Sequence, residues 1–225
     1  MFAFSGSLNE FVVRVIYRLT QLGDEIDADT YIMPVGIFLV IDEEHGGSST
    51  AKELIRRFKL LDLESRNFID FHYLGWIEFP DGSLEFDLRE FEKCRDALKK
   101  VGVTEFGGNA DLILVDAVRK PNGIFLNFEQ AIRLNLSVAV IEKEVPDLGE
   151  FLQTVISVAE EVRKTLVTSV SDSPVFKISD RLGVAVAKQS LLDFLLDKWG
   201  KIIGAKRLKA IAIRSIGPNV DIGKL

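Results

Sequence analysis

An α/β fold is what this 225-residue sequence predicts: a mostly parallel central sheet, helices on both faces, and a helical C-terminal part. Three observations predict it. Val35 to Ile41 is a nearly continuous apolar run rich in β-branched residues, the composition of a strand covered on both faces. From Val35 to Leu126 the hydrophobic period then alternates between that of strands and that of helices. Polar joints containing Gly, Asp or Asn separate the segments.

The elements follow in order. Ser7 and Glu10 make a capping box for a first helix, whose stripe is Leu8, Phe11, Val12, Val15, Leu19 and Leu22 and whose stop is Gly23. Asp24 to Thr30 is an acidic connector to the first strand. After the polar joint Asp42 to Thr50, residues 51–61 place Leu54, Ile55, Phe58 and Leu61 on one helical face, with Thr50 and Glu53 as a second capping box. Phe68 to Trp76 reads as the second strand, with Ile69, Phe71 and Tyr73 on one face and Asp70, His72 and Leu74 on the other. Pro80, Asp81 and Gly82 form the turn of a small hairpin.

Asp87 and Glu90 open the next helix, striped by Leu88, Phe91, Cys94, Leu98 and Val101 and stopped at Gly102. Asp111 to Val118 is the third strand; a short turn returns the chain as an antiparallel fourth, Ile124 to Leu126. With both helices as crossovers, the first three strands are parallel. Residues 127–135 are expected to be a short helix, and residues 137–141 fit either helix or a fifth strand. Pro146 and Asp147 start a long helix reaching about Leu166. Residues 167–179 read as a loop that has room for a strand at 174–178. A second long helix spans about 185–203, and residues 205–216 are an edge strand or a basic arm. The expected division is an α/β sheet domain over 1–145 and a helical extension over 146–225 packed on the same core.

The βαβαββα order over residues 35–135 resembles the thioredoxin-like arrangement. Its redox chemistry needs a Cys-x-x-Cys at the first strand–helix junction. Here that junction is Glu43 to Thr50 and has no cysteine, and the single cysteine, Cys94, lies on a helix face. Thiol–disulfide exchange is therefore excluded. The segment from Leu60 to Trp76 is similar to one in uncharacterised prokaryotic proteins, some associated with anti-phage defence. That resemblance implies a setting and no activity.

Composition narrows the classes. Hydrophobic content of 47% supplies a packed core, and no apolar run reaches the roughly 20 residues that span a bilayer. Met1 to Gly6 lacks the basic flank of a signal peptide, so a soluble cytoplasmic chain without membrane contact is expected. The net charge of −6 disfavours nucleic acid. Charge is uneven: residues 187–225 hold six Lys and two Arg against three Asp, a net of +5, leaving −11 on residues 1–186. Such asymmetry marks an interaction surface.

Ligands of open α/β sheets bind beyond the carboxyl ends of the strands. On the parallel reading Asp42, His45, His72 and Asp116 approach one rim, where imidazole and carboxylates together could hold a divalent metal and activate water. Gly46, Gly47, Ser48, Ser49 and Thr50 offer a second chemistry, a phosphate on loop amides at a helix start. No Walker or dinucleotide spacing accompanies them, no cofactor is specified, and the acidic residues 42–44 oppose a phosphate. Lys206, Arg207, Lys209 and Arg214 form a basic segment suited to an acidic partner surface, either a different protein or a second copy. Two function classes follow. One is a non-catalytic accessory or assembly subunit acting through protein contacts; the other is a metal- or nucleotide-dependent enzyme using the loop Asp42 to Thr50.

Overall fold

The computed structural model describes residues 4–21, 31–65, 69–81, 83–103, 109–141, 147–166, 168–169, 176–177 and 212–225. The connector 24–30 and the expected helix 185–203 lie outside the described residues. An unforeseen short strand, β1 (Phe4–Gly6), precedes helix α1 (Leu8–Gln21). The capping box of α1 is reciprocal: Glu10 N donates to Ser7 Oγ at 3.3 Å and Ser7 N to Glu10 Oε2 at 3.2 Å. Next come β2 (Tyr31–Val40), α2 (Ser49–Ser65), β3 (Asp70–Leu74), β4 (Trp76–Glu78), β5 (Leu84–Phe86) and α3 (Leu88–Lys100). Asp87 caps α3 by accepting from Arg89 N and Glu90 N.

The chain continues as β6 (Ala110–Lys120), β7 (Gly123–Asn127), β8 (Ile132–Asn135), α4 (Leu136–Ile141) and α5 (Leu148–Leu166). The expected helix over 127–135 is instead a turn and then β8. There Ile132 and Leu134 enter one core cluster, with Arg133 between them on the other face, a period of two. The ambiguous stretch 137–141 is helical. Two short strands, β9 (Thr168–Ser169) and β10 (Phe176–Lys177), pair with each other within the expected loop. Near the end, β11 (Ala212–Arg214) and β12 (Asn219–Asp221) add further strands.

One sheet runs in the order β1-β3-β2-β6-β7-β12, with β8, β9, β10 and β11 attached beside that path. It is mixed and mostly antiparallel, which corrects the mostly parallel, thioredoxin-like expectation. Only β1 with β3 and β2 with β3 are parallel. The error lies at β6. It pairs antiparallel with all ten residues of β2, from Tyr31 against Arg119 to Val40 against Ala110. Since β3 is parallel to β2, the chain leaves β3 at the rim where β2 ends, and β6 starts at that same rim. Helix α3 is thus an arch between two strand ends on one rim, and not a crossover.

The β1-α1-β2 and β2-α2-β3 crossovers move in opposite directions along the sheet, so right-handed connections put their helices on opposite faces. The core is split accordingly. Phe11, Val15 and Leu19 of α1, with Phe91, Cys94 and Leu98 of α3, cover Val35, Ile37 and Leu39. On the other face Leu54 and Leu61 of α2, with Phe151, Leu152 and Val155 of α5, cover Phe38, Phe71 and Tyr73. Among the described residues no helix is long and apolar enough to cross a membrane.

Gly75 separates β3 from β4 at φ +84°, and a Cβ there would lie 2.5 Å from Phe91 Cβ and 2.8 Å from its Cα. Gly75→Ala is expected to cost about 2–5 kcal/mol from left-handed strain plus overlap. Gly46 has φ +92° with nothing within 4 Å of its added Cβ. Gly46→Ala should therefore cost only the strain, about 1–2 kcal/mol. Urea unfolding of both variants measures the difference, and equal losses would contradict close packing of α3 on Gly75.

Candidate functional site

The parallel part of the sheet contains a topological switch. From β2 the chain passes to α2 on one face, and from β3 to α3 on the other, which opens a crevice at their carboxyl ends. Asp42 and His45 stand there. Asp42 caps a 3-10 turn over Glu43–His45, its side chain accepting from Glu44 N. His45 Nδ1 lies 3.5 Å from Asp42 Oδ2, so a carboxylate faces the imidazole. The His45 ring also leans on Phe86 at 5.3 Å. Below it Trp76 Nε1 donates to Val40 O at 2.9 Å, and Phe86 packs against both Trp76 and Phe91. Aromatic side chains therefore occupy the floor of the crevice.

The loop proposed for phosphate follows directly. The amides of Gly46 and Gly47 donate to Glu43 O and Asp42 O, so both turn into the loop. Gly47 cannot be replaced simply, because a Cβ would fall 1.8 Å from Ile41 O. Ser48 Oγ is 3.4 Å from Ser137 Oγ, Ser49 begins α2, and Thr50 is buried. Asn109 Nδ2 donates to Gly46 O at 2.7 Å and ties the loop to the start of β6. Lys52 reaches Glu43 at 3.0 Å. Lys52, two residues beyond the loop, is thus already paired with one of its carboxylates.

The other two rim candidates do not join Asp42 and His45. His72 pairs in register with Ile37, three residues short of the end of β2, and faces α1. Asp116 pairs with Pro34 on the opposite face, six residues along β6 from the rim, roughly 20 Å. The antiparallel direction of β6 puts its carboxyl end at the far edge, which is why the expected four-residue constellation is absent. Among the described residues no group of three or more His, Cys, Asp or Glu is placed to hold a metal ion. Of the basic segment, Arg214 lies in β11 beside Ile132, while Lys206, Arg207 and Lys209 lie outside the described residues.

His72 belongs to a buried charge cluster under α1. Its Nε2 is 3.4 Å from Asp70 Oδ2, and Arg18 Nε approaches the same oxygen at 3.3 Å. Phe11 meets the His72 ring edge-on at 4.8 Å. Burial lowers the Arg14 guanidinium, countered by the charges of Glu10 and Asp70. The roles of Arg14 and Arg18 escape a reading of the stripe alone. The signal that could have found them is Asp70 at an inward strand position, since burying a carboxylate is costly and a neighbouring cation offsets that cost. Cys94 is fully buried, and burial raises its thiol to about 11, which keeps it a core group at neutral pH.

The second feature with binding character is the β4–β5 hairpin, a two-stranded sheet of its own. Trp76 pairs with Phe86 and Glu78 with Leu84, and the apolar members of these pairs pack toward the core. The other face carries Ile77 opposite Glu85, followed by Phe79. Ile77 and Phe79 are each 39% exposed and Leu88, at the start of α3, is 38% exposed. An open groove of about 460 Å³ runs between hairpin and helix, lined by Ile77, Glu85, Phe86, Asp87, Leu88 and Arg89.

No protein-family model, curated protein or solved structure matches this chain.

Asp116 is buried with no hydrogen-bond partner for Oδ1 among the described residues, and burial raises its carboxyl from 3.8 to about 7. Between these two values the folded chain retains a proton that the unfolded chain has released. Stability therefore falls as pH rises from about 4 to about 7 and levels off above, a loss of up to roughly 4 kcal/mol. Asp116→Asn removes the titration. The variant should match the parent near pH 4 and exceed it near pH 8, as followed by urea unfolding across pH. A stability difference independent of pH would show that Asp116 ionises freely.

Proposed function

We propose that this chain is a non-catalytic accessory or assembly subunit that acts through protein–protein contacts. One observation carries the proposal. The β4–β5 hairpin uses Trp76, Leu84 and Phe86 to anchor itself on the core while presenting Ile77 and Phe79 outward, next to Leu88. Lone exposed apolar residues are ordinary, but Ile77 and Leu88 lining one groove, with Phe79 exposed two residues beyond Ile77, have the character of an interaction surface. The proposed partner is another protein or a second copy, in the cytoplasm. The similarity of residues 60–76 to prokaryotic defence-associated proteins supports anti-phage defence as the setting.

A second reading has its own observation. Asp42 and His45 occupy the switch-point crevice where α/β proteins bind ligands, and a carboxylate facing an imidazole is part of acid–base machinery. This reading makes the chain a metal- or nucleotide-dependent enzyme. A thermal-shift panel of divalent metals and nucleotides discriminates between the two, since a shift lost in His45→Ala would favour the enzyme.

Ile77→Ser combined with Phe79→Ser is expected to leave the fold intact, because both side chains face away from the core. Light scattering coupled to size exclusion should show the parent as an oligomer, or as a complex with its purified partner, and the double variant as a monomer. A parent that stays monomeric and forms no complex would count decisively against an assembly role.

A further inference from the structure

The hairpin groove has a charge as well as a shape, and the charge identifies what fits it. Glu85 and Asp87 line the groove beside Ile77 and Leu88, Asp81 lies at the turn of the same hairpin, and Arg89 is the one cation of the lining. Asp81 accepts from Ser83 N and Oγ, and Asp87 caps α3, so both carboxylates are held in place by the turns they serve. Glu85 stands directly opposite Ile77, on the groove wall. The surface is therefore an apolar strip with a fixed acidic border. Its complement is an amphipathic segment that carries apolar anchors and several Lys or Arg.

The same chain contains such a segment. Ahead of β11, residues 205–211 interleave Lys206, Arg207 and Lys209 with Leu208 and Ile211, within a C-terminal stretch (residues 187–225) of net charge +5 on a body of −11. We infer that the hairpin groove is the docking site for a second copy of this chain, which presents its basic C-terminal stretch to the acidic rim. This rests on the assembly reading above and assigns it both a surface and an occupant. A contact between two different patches is heterologous, so it closes into a ring or extends as a row of subunits. Oppositely charged rims also accelerate encounter and make association fall with salt.

The test is a charge swap on the full chain. Glu85→Lys alters one exposed position on the groove wall and should leave the thermal melt unchanged. Self-association, measured by sedimentation equilibrium, should weaken at least about tenfold, and its salt dependence should flatten. A chain carrying Lys206→Glu, Arg207→Glu and Lys209→Glu should be similarly weakened alone. Mixing the two variants should restore association, because one swapped interface is again complementary. Loss in Ile77→Ser/Phe79→Ser without loss in either charge variant would overturn the second-copy inference and leave the assembly reading standing. Unchanged association in all three variants would remove the hairpin from both. A parent that is monomeric but binds a purified basic protein through the groove would replace the second copy with that protein and refute the inference.

Discussion

Ten consecutive residue pairs bind β2 to β6 in one antiparallel ladder, and the rest of the molecule depends on that ladder. It places Val35, Ile37 and Leu39 beside Val115, Ile113 and Asp111 on one face, and Gly36 and Phe38 beside Leu114 and Leu112 on the other. A slip of one residue would exchange every inward side chain between faces, so two separate clusters enforce a single register. The parallel strands β3 and β1 are added on the β2 side, and β7 and β8 on the β6 side. Helices then cover both faces because neither can be left to water.

That arrangement also governs where polar groups go. Alternation along β3 sends Asp70 and His72 toward α1, and there Arg18 approaches the Asp70 carboxylate. Grouping polar side chains with a cation offsets part of the cost of burying them. Asp116 shows the contrasting case. It sits on the other face at a position between the β7 and β8 pairings of β6, and it responds to burial by holding its proton. The two carboxylates have similar sequence surroundings, each within an apolar strand. What differs is their company: Arg18 approaches Asp70, whereas burial is the one cause acting on Asp116.

Much of this was legible in the residues. The faces of β3, the caps Ser7 and Asp87, the turn at Asp81 and the stripe of α3 each depend on local chemistry and were readable locally. Strand direction was not, because a period of two is the same whichever way a strand runs. The parallel reading of β6 followed from treating α3 as a crossover, and it alone brought Asp116 to the rim with Asp42. The short strands β1, β8, β11 and β12 have three or four residues each, too few for alternation to declare itself. The position of Asp42 and His45 at a strand end was readable because their loop follows a strong strand. The hairpin was found as a turn, while its outward apolar face depended on knowing which side of β4 meets the core.

The way β6 divides its second edge has a consequence for how the chain reaches its final form. Residues 111–114 of β6 pair with β8 and residues 117–120 with β7, so the sheet forks at Val115 and Asp116. Both arms are finished by one late segment. β11 lines β8, the chain turns through Ser215 at φ 57°, and β12 lines β7. Ser215 N and Ile216 N bond Ala131 O and Phe128 O across the gap. On a ribosome adding 5–20 residues per second, residue 212 emerges roughly 4–15 s after residue 135. For that interval β7 and β8 have open edges, and open strand edges recruit other strands. A nascent chain of this protein is thus exposed to mispairing until its last strands are made, a vulnerability that the finished fold no longer displays.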